Sequence, residues 1–131
     1  MKLEEFSQDD FERASRRLVR SLTRGKTTSS QPKAILLGGQ SGAGKTTIHR
    51  VKQREFQGNI IIIDGDSYRS FHPNYLSLQG KYGKDSVDYT KVFAGKMVEY
   101  LVDELSKQGY HLLIEGTLRT TEVPRKTAQL L

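Results

Sequence analysis

An apolar run that breaks at once into glycine limits the fold more than any other feature of this sequence. Ala34, Ile35, Leu36 and Leu37 lead directly into Gly38, Gly39, Gln40, Ser41, Gly42, Ala43, Gly44, Lys45, Thr46 and Thr47. A short, continuous apolar run bounded by turn residues suits a strand buried on both faces, as in a parallel sheet. The spacing G-x-x-x-x-G-K-[ST] is met by Gly39, Gly44, Lys45 and Thr46 and describes a phosphate-binding loop between a strand and a helix. Random chains of this length would match it in fewer than about one case in a hundred. The glycines remove Cβ atoms that would keep phosphate oxygens from consecutive backbone N–H groups. The following helix N-terminus adds partial positive charge. Residues 39–47 are thus the nucleotide-binding candidates. Lys45 is placed for the β- and γ-phosphates of ATP or GTP, and the Thr46 hydroxyl for Mg²⁺. The choice of base is not encoded in these residues.

The remaining chain is compatible with a parallel sheet. Thr46 to Phe56 predicts a helix, with Ile48 and Val51 as inward anchors. Gly58 and Asn59 make a turn, and the β-branched run Ile60–Ile63 predicts a second buried strand. Ser67 to Lys84 reads as an irregular excursion above the strand ends, outside the core. Asp85 to Gln108 predicts a long helix that buries Tyr89, Phe93, Met97, Tyr100, Leu101 and Leu105, and Gly109 stops it. Tyr110 to Ile114 predicts a third strand, and Pro124 to Leu131 begins another helix. Alternating strands and helices imply an α/β fold with parallel pairing.

Ahead of this unit, Ser7 to Arg24 reads as a helix. Ser7 is its N-cap, Asp9, Asp10 and Glu12 fill the first turn, and Gly25 follows the end. Phe11, Leu18 and Leu22 form a narrow apolar stripe that suits packing on the domain; docking a partner is the alternative. Lys26 to Pro32 is a polar linker, which gives a division into residues 1–32 and 33–131.

The net charge is +6. Basic chains often handle nucleic acid or phosphorylated small molecules. Here no aromatic residues are interleaved with the basic clusters as a stacking platform requires, so the expectation is a protein without nucleic-acid partners. No run approaches the roughly 20 apolar residues of a membrane span. The absence of cysteine fits a reducing cytoplasm.

Carboxylates at strand ends are the next candidates, because ligands of open parallel sheets bind just beyond those ends. Ile63 runs into Asp64, Gly65 and Asp66, and Ile114 runs into Glu115. Transfer of a phosphoryl group needs a base for the attacking hydroxyl, an effect worth roughly 10²–10⁴ in rate. It also needs an acid to hold Mg²⁺ or its water. Residue types alone leave Asp64, Asp66 and Glu115 interchangeable in these roles. An Asx-turn at Asp64 and a surface carboxylate at Glu115 are the structural alternatives. By its spacing, Glu99 is a solvated helix residue.

The run Ala34–Thr47, the Ile63–Asp66 tetrad, His72-Pro73 and Leu113–Thr117 followed by Arg119 and Thr120 together closely resemble the zeta-toxin family. The resemblance covers nearly the whole chain. It implies a P-loop NTPase/kinase-type three-layer fold around a parallel sheet. It also implies a toxin of a type II toxin–antitoxin pair, which uses ATP and Mg²⁺ to phosphorylate the 3′-hydroxyl of the N-acetylglucosamine of UDP-N-acetylglucosamine. That modification blocks peptidoglycan synthesis. Carried over by motif, Lys45 is the phosphate-binding lysine and Asp66 the general base. Glu99, Glu115, Thr117, Arg119 and Thr127 line the sugar-nucleotide site, and a cognate antitoxin protein covers the nucleotide site. Family members are longer. The expectation is therefore the N-terminal part of a kinase domain, with three of its strands present and two phosphate-binding arginines belonging to the part beyond Leu131. The alternatives are another small-molecule kinase on the same loop, or a nucleotide- or antitoxin-binding fragment without catalytic activity.

Overall fold

The computed structural model describes residues 2–36 and 44–115, the side chains of residues 44–46 excepted. In chain order the elements are α1 (Gln8–Thr23), β1 (Ala34–Leu36), α2 (Gly44–Glu55) and β2 (Ile61–Asp64). A 3-10 turn (Gly65–Phe71), α3 (Tyr75–Tyr82), a second 3-10 turn (Gly83–Ser86), α4 (Val87–Gln108) and β3 (Leu112–Glu115) follow. The sheet has three strands in the order β1-β3-β2, and both pairings are parallel. The last strand in sequence is thus the middle one in space, and all four of its residues are buried.

The expected α/β architecture stands, and each element has a local cause. The Asp10 N–H donates to the Ser7 hydroxyl at 3.0 Å, so the N-cap is where the sequence places it. Gly109 ends α4 with φ of 97°, and a Cβ there would lie 3.0 Å from the Ser29 carbonyl oxygen. That approach matters because the Ser29 N–H donates to the Gly109 carbonyl at 2.8 Å. The polar linker is therefore pinned to the foot of the sheet. The Thr27 N–H adds a bond to the Asn59 side chain at 2.8 Å.

One apolar core joins α1, α4 and the sheet. Phe11, Ala14 and Leu18 of α1 pack with Phe93, Met97 and Leu101 of α4 and with Ile61, Ile63 and Ile114 of the strands. The Phe11 and Phe93 rings meet edge to face at 5.7 Å, and Phe6 joins Phe93 at 5.0 Å. Hence α1 packs on the domain, as its stripe predicts. Among the described residues, no helix is long and apolar enough to cross a membrane.

Some expectations are corrected. Residues 67–84 are helical rather than irregular except at 72–74, and they reach the core through Tyr68, His72 and Leu78, each 3% exposed or less. Short apolar spacing interrupted by Gly80 and Gly83 concealed that turn-by-turn structure. Val51 is 53% exposed and is no anchor. Helix α2 half-buries Ile48, His49 and Lys52, and at 100° per residue Val51 falls on the flank of that stripe. Tyr100 is 38% exposed, while Thr90, Ala94, Val98 and Val102 complete the buried face of α4. The expected helix from Pro124 lies outside the described residues.

Candidate functional site at the strand ends

Parallel pairing sets Asp64 of β2 and Glu115 of β3 side by side at the carboxyl end of the sheet. Helix α2 comes to the same end. His49, in its second turn, has its Nε2 at 2.5 Å from Glu115 Oε2. The helix that follows the glycine loop is therefore anchored on the acid that ends the central strand.

The two aspartates beyond β2 do different things. Asp64 is the N-cap of the 3-10 turn: its Oδ1 accepts from the Asp66 N–H at 3.2 Å and its Oδ2 from the Ser67 hydroxyl at 3.0 Å. Both oxygens thus serve the turn that Gly65 starts, as an Asx-turn does. The strand ends at Asp64 and the backbone coils, so the alternation that would face Asp64 and Asp66 the same way is lost. Asp66 is 75% exposed, with Arg69 Nη2 at 3.3 Å from its Oδ1. Of the three carboxylates, Asp66 is the most exposed, and its partner is Arg69 of the same turn.

Glu115 is only 5% exposed, so it is not a surface carboxylate. Beneath the turn, Tyr68 is buried with it. Burial pushes the Tyr68 phenol well above the usual tyrosine range; contact with the Asp64 backbone opposes this, and the charges of Asp64 and Glu115 add to it. The Tyr68 hydroxyl finds no partner of hydrogen-bonding geometry among the described residues.

The other sequence candidates are dispersed. Thr47 is exposed on α2. Glu99 is half-buried on α4, in a recess lined by Phe6, Gln8, Phe11, Lys96, Tyr100 and Asp103, and shares it with no strand-end residue. Gly39, Gln40, Ser41, Gly42 and Ala43 lie outside the described residues, as do Thr117, Arg119 and Thr127. Gly44, Lys45 and Thr46 form the start of α2. Among the described residues, no three histidine or carboxylate side chains converge as a metal cluster.

His72, half of the His-Pro pair, is a latch rather than a ligand. Its Nδ1 accepts from the Asn74 N–H at 3.0 Å, so Nε2 carries the proton and donates to the Glu4 carbonyl at 3.0 Å. The Asn74 amide adds a bond to the Leu3 carbonyl at 3.0 Å, which holds the N-terminal segment on the turn.

Sequence reasoning missed His49 and Tyr68. His49 follows Lys45 by four residues, one helical turn, so helical spacing from the glycine loop would have raised it. Its partner Glu115 is 66 residues away, and only the strand order brings the two together.

An α/β sheet of parallel strands, a glycine loop leading into a helix and acids at the strand ends define a P-loop kinase-type fold. The Zeta toxin family model matches residues 18–131, and the chain belongs to that family. It is 70% identical to Toxin PezT of Streptococcus pneumoniae serotype 4 (strain ATCC BAA-334 / TIGR4), over 100% of this chain and 52% of that protein. It is 41% identical to Toxin zeta of Streptococcus agalactiae, over 97% of this chain and 44% of that protein. A solved structure, from a molecular and structural characterization of the PezAT chromosomal toxin–antitoxin system of the human pathogen Streptococcus pneumoniae, superposes with a TM-score of 0.91. It is 70% identical and is matched over 100% of this chain and 54% of its own. The chain thus spans about half the length of the relatives it matches.

Proposed function

We propose that this chain is the phosphate-binding part of a toxin kinase. It would transfer the γ-phosphoryl group of ATP to the 3′-hydroxyl of the N-acetylglucosamine in UDP-N-acetylglucosamine. The observation that carries the reading is the division of labour at the strand ends. Asp64 is consumed by its own turn, Glu115 is buried against α2, and Asp66 projects into solvent beside Arg69 of its own turn. A general base must reach a substrate hydroxyl, and Asp66 is the most exposed of the three carboxylates. In the step, the hydroxyl oxygen bonds to the γ-phosphorus as the bond to the bridging oxygen of ADP breaks. The hydroxyl proton passes to Asp66.

The donors present suit Mg²⁺, which takes hard oxygen ligands, one or two carboxylates at a time, alongside phosphate oxygens. The Thr46 hydroxyl with one strand-end acid would hold it, and when bound it would neutralise charge on the phosphates. Lys45 would bind the β- and γ-phosphates. Glu115, Thr117, Arg119 and Thr127 would line the sugar-nucleotide side, whereas Glu99, carried over with them by motif, sits in a separate recess beside α1.

The relatives named as toxins, and the solved toxin–antitoxin system, support a cognate antitoxin as protein partner. The cysteine-free composition supports a cytoplasmic setting, where sugar nucleotides are made.

The test is a transfer assay on the full-length form, with UDP-N-acetylglucosamine and Mg-ATP, read by mass spectrometry of the sugar nucleotide. A phosphorylated product is expected, reduced about 10²–10⁴-fold by Asp66→Ala. Full activity in that variant would remove Asp66 as base. Turnover with other hydroxyl acceptors alone would move the chain to a different kinase specificity. A melt raised by Mg-ATP without any turnover would leave a nucleotide-binding module; at 100 times Kd the ligand stabilises by about 2.7 kcal/mol.

A further inference from the structure

Among the described residues, His49 is the one side chain that joins the phosphate-binding helix to the acid at the end of the central strand. The other ion pairs among the described residues, Lys52–Glu55, Arg69–Asp66 and Lys107–Asp103, link neighbours on one helix or turn. The His49–Glu115 pair spans 66 residues and two elements, with Glu115 5% and His49 26% exposed. Asp64 stands in register beside Glu115, and the buried Tyr68 phenol lies near both acids. A buried carboxylate in such company needs a donor, since taking a charge out of water unpaired costs several kcal/mol. Among the described residues His49 supplies it.

We propose that His49 is a positioning residue. Its Nε2–H holds the Glu115 carboxylate against α2, and so sets how that acid is presented to a bound nucleotide and its metal ion. The tie itself follows from the contact; its service to nucleotide binding rests on the kinase reading above. Outer partners that orient a liganding group are typically worth about 10–100-fold in affinity or activity. An Asn or Gln amide can donate where an imidazole does, whereas an aliphatic side chain cannot. This separates orientation from packing.

The experiment uses the whole chain, ¹⁵N-labelled. Nitrogen resonances of the His49 ring should show the proton on Nε2, and Glu115→Gln should shift that signal. A double-mutant cycle of His49→Leu with Glu115→Gln in urea should show coupling of about tenfold in the unfolding equilibrium. Mg-ATP affinity, measured by calorimetry, should fall about tenfold in His49→Leu and stay within about twofold in His49→Gln. An unmoved ring signal with an additive cycle overturns the tie. Coupling with unchanged Mg-ATP affinity in His49→Leu overturns the positioning role. Coupling without any Mg-ATP binding by the unsubstituted chain defeats the kinase reading, and the positioning role with it, but leaves the tie standing. Should His49→Leu fail to fold, the ring signal and the affinity of His49→Gln still decide: a loss of Mg-ATP affinity of about tenfold in His49→Gln overturns the proposal.

Discussion

Adding one methyl group at Gly65 tests how the turn that carries Asp66 is held. Gly65 sits where β2 gives way to the 3-10 turn, against the middle of α4. A Cβ there would stand 3.0 Å from Val98 Cγ2, where 3.4–4 Å is ordinary contact. Val98 cannot easily yield. It is 6% exposed within the core cluster, and a valine in a helix has essentially one χ1 rotamer. Replacing glycine stiffens the unfolded chain, which favours folding by about 0.4–1 kcal/mol. Overpacking a tight core costs about 1–3 kcal/mol. The clash wins, and Gly65→Ala should destabilise by about 1–2 kcal/mol in urea melts. Val98→Ala removes the obstructing methyl at its own cost of about 1.6 kcal/mol or more. In that background Gly65→Ala should become neutral or stabilising, a coupling of about 1–2 kcal/mol between the two sites. A Gly65→Ala effect that is the same in both backgrounds would refute the reasoning. Under the kinase reading, the single variant also shifts Asp66 and should lose transfer activity that the double variant recovers.

Other outcomes follow from single contacts. Ser7→Ala removes the acceptor for the Asp10 N–H and should cost about 1 kcal/mol in a thermal or urea melt. Ser7→Gly should cost only a few tenths. Tyr68→Phe deletes a buried hydroxyl without a partner among the described residues, so the change should be nearly neutral or stabilising. Because burial raises the Tyr68 phenol above its usual range, the folded chain keeps a proton that the unfolded chain loses near pH 10. Stability from this group is complete below about pH 10 and falls as pH rises beyond it. Tyr68→Phe should flatten that alkaline loss in pH-dependent urea melts.

Much of the fold is legible from local pattern. The apolar runs at 34–37 and 60–63 coincide with strands to within a residue or so, because β-branched runs bounded by turn residues have few other uses. Helix α1 begins at its Ser7 cap and α4 ends at Gly109, since capping chemistry acts over a single turn. Residues 67–84 were opaque for the opposite reason. Their two 3-10 turns and short helix depend on burying Tyr68, His72 and Leu78 against distant partners, and no periodicity over so short a stretch announces that.

The site divides along the same line. The glycine spacing, the lysine and threonine behind it, and the acids at the strand ends were determined by the sequence itself. Each is a local requirement of the glycine-loop motif or of strand termination. Which acid does what was decided only by the tertiary structure. The coil after Gly65 spends Asp64 on its own turn and leaves Asp66 exposed beside Arg69. The placing of β3 between β1 and β2 buries Glu115 beside His49. Strand order is a long-range property: it depends on which faces the helices cover, and a pair separated by 66 residues has no signature in the spacing of either partner.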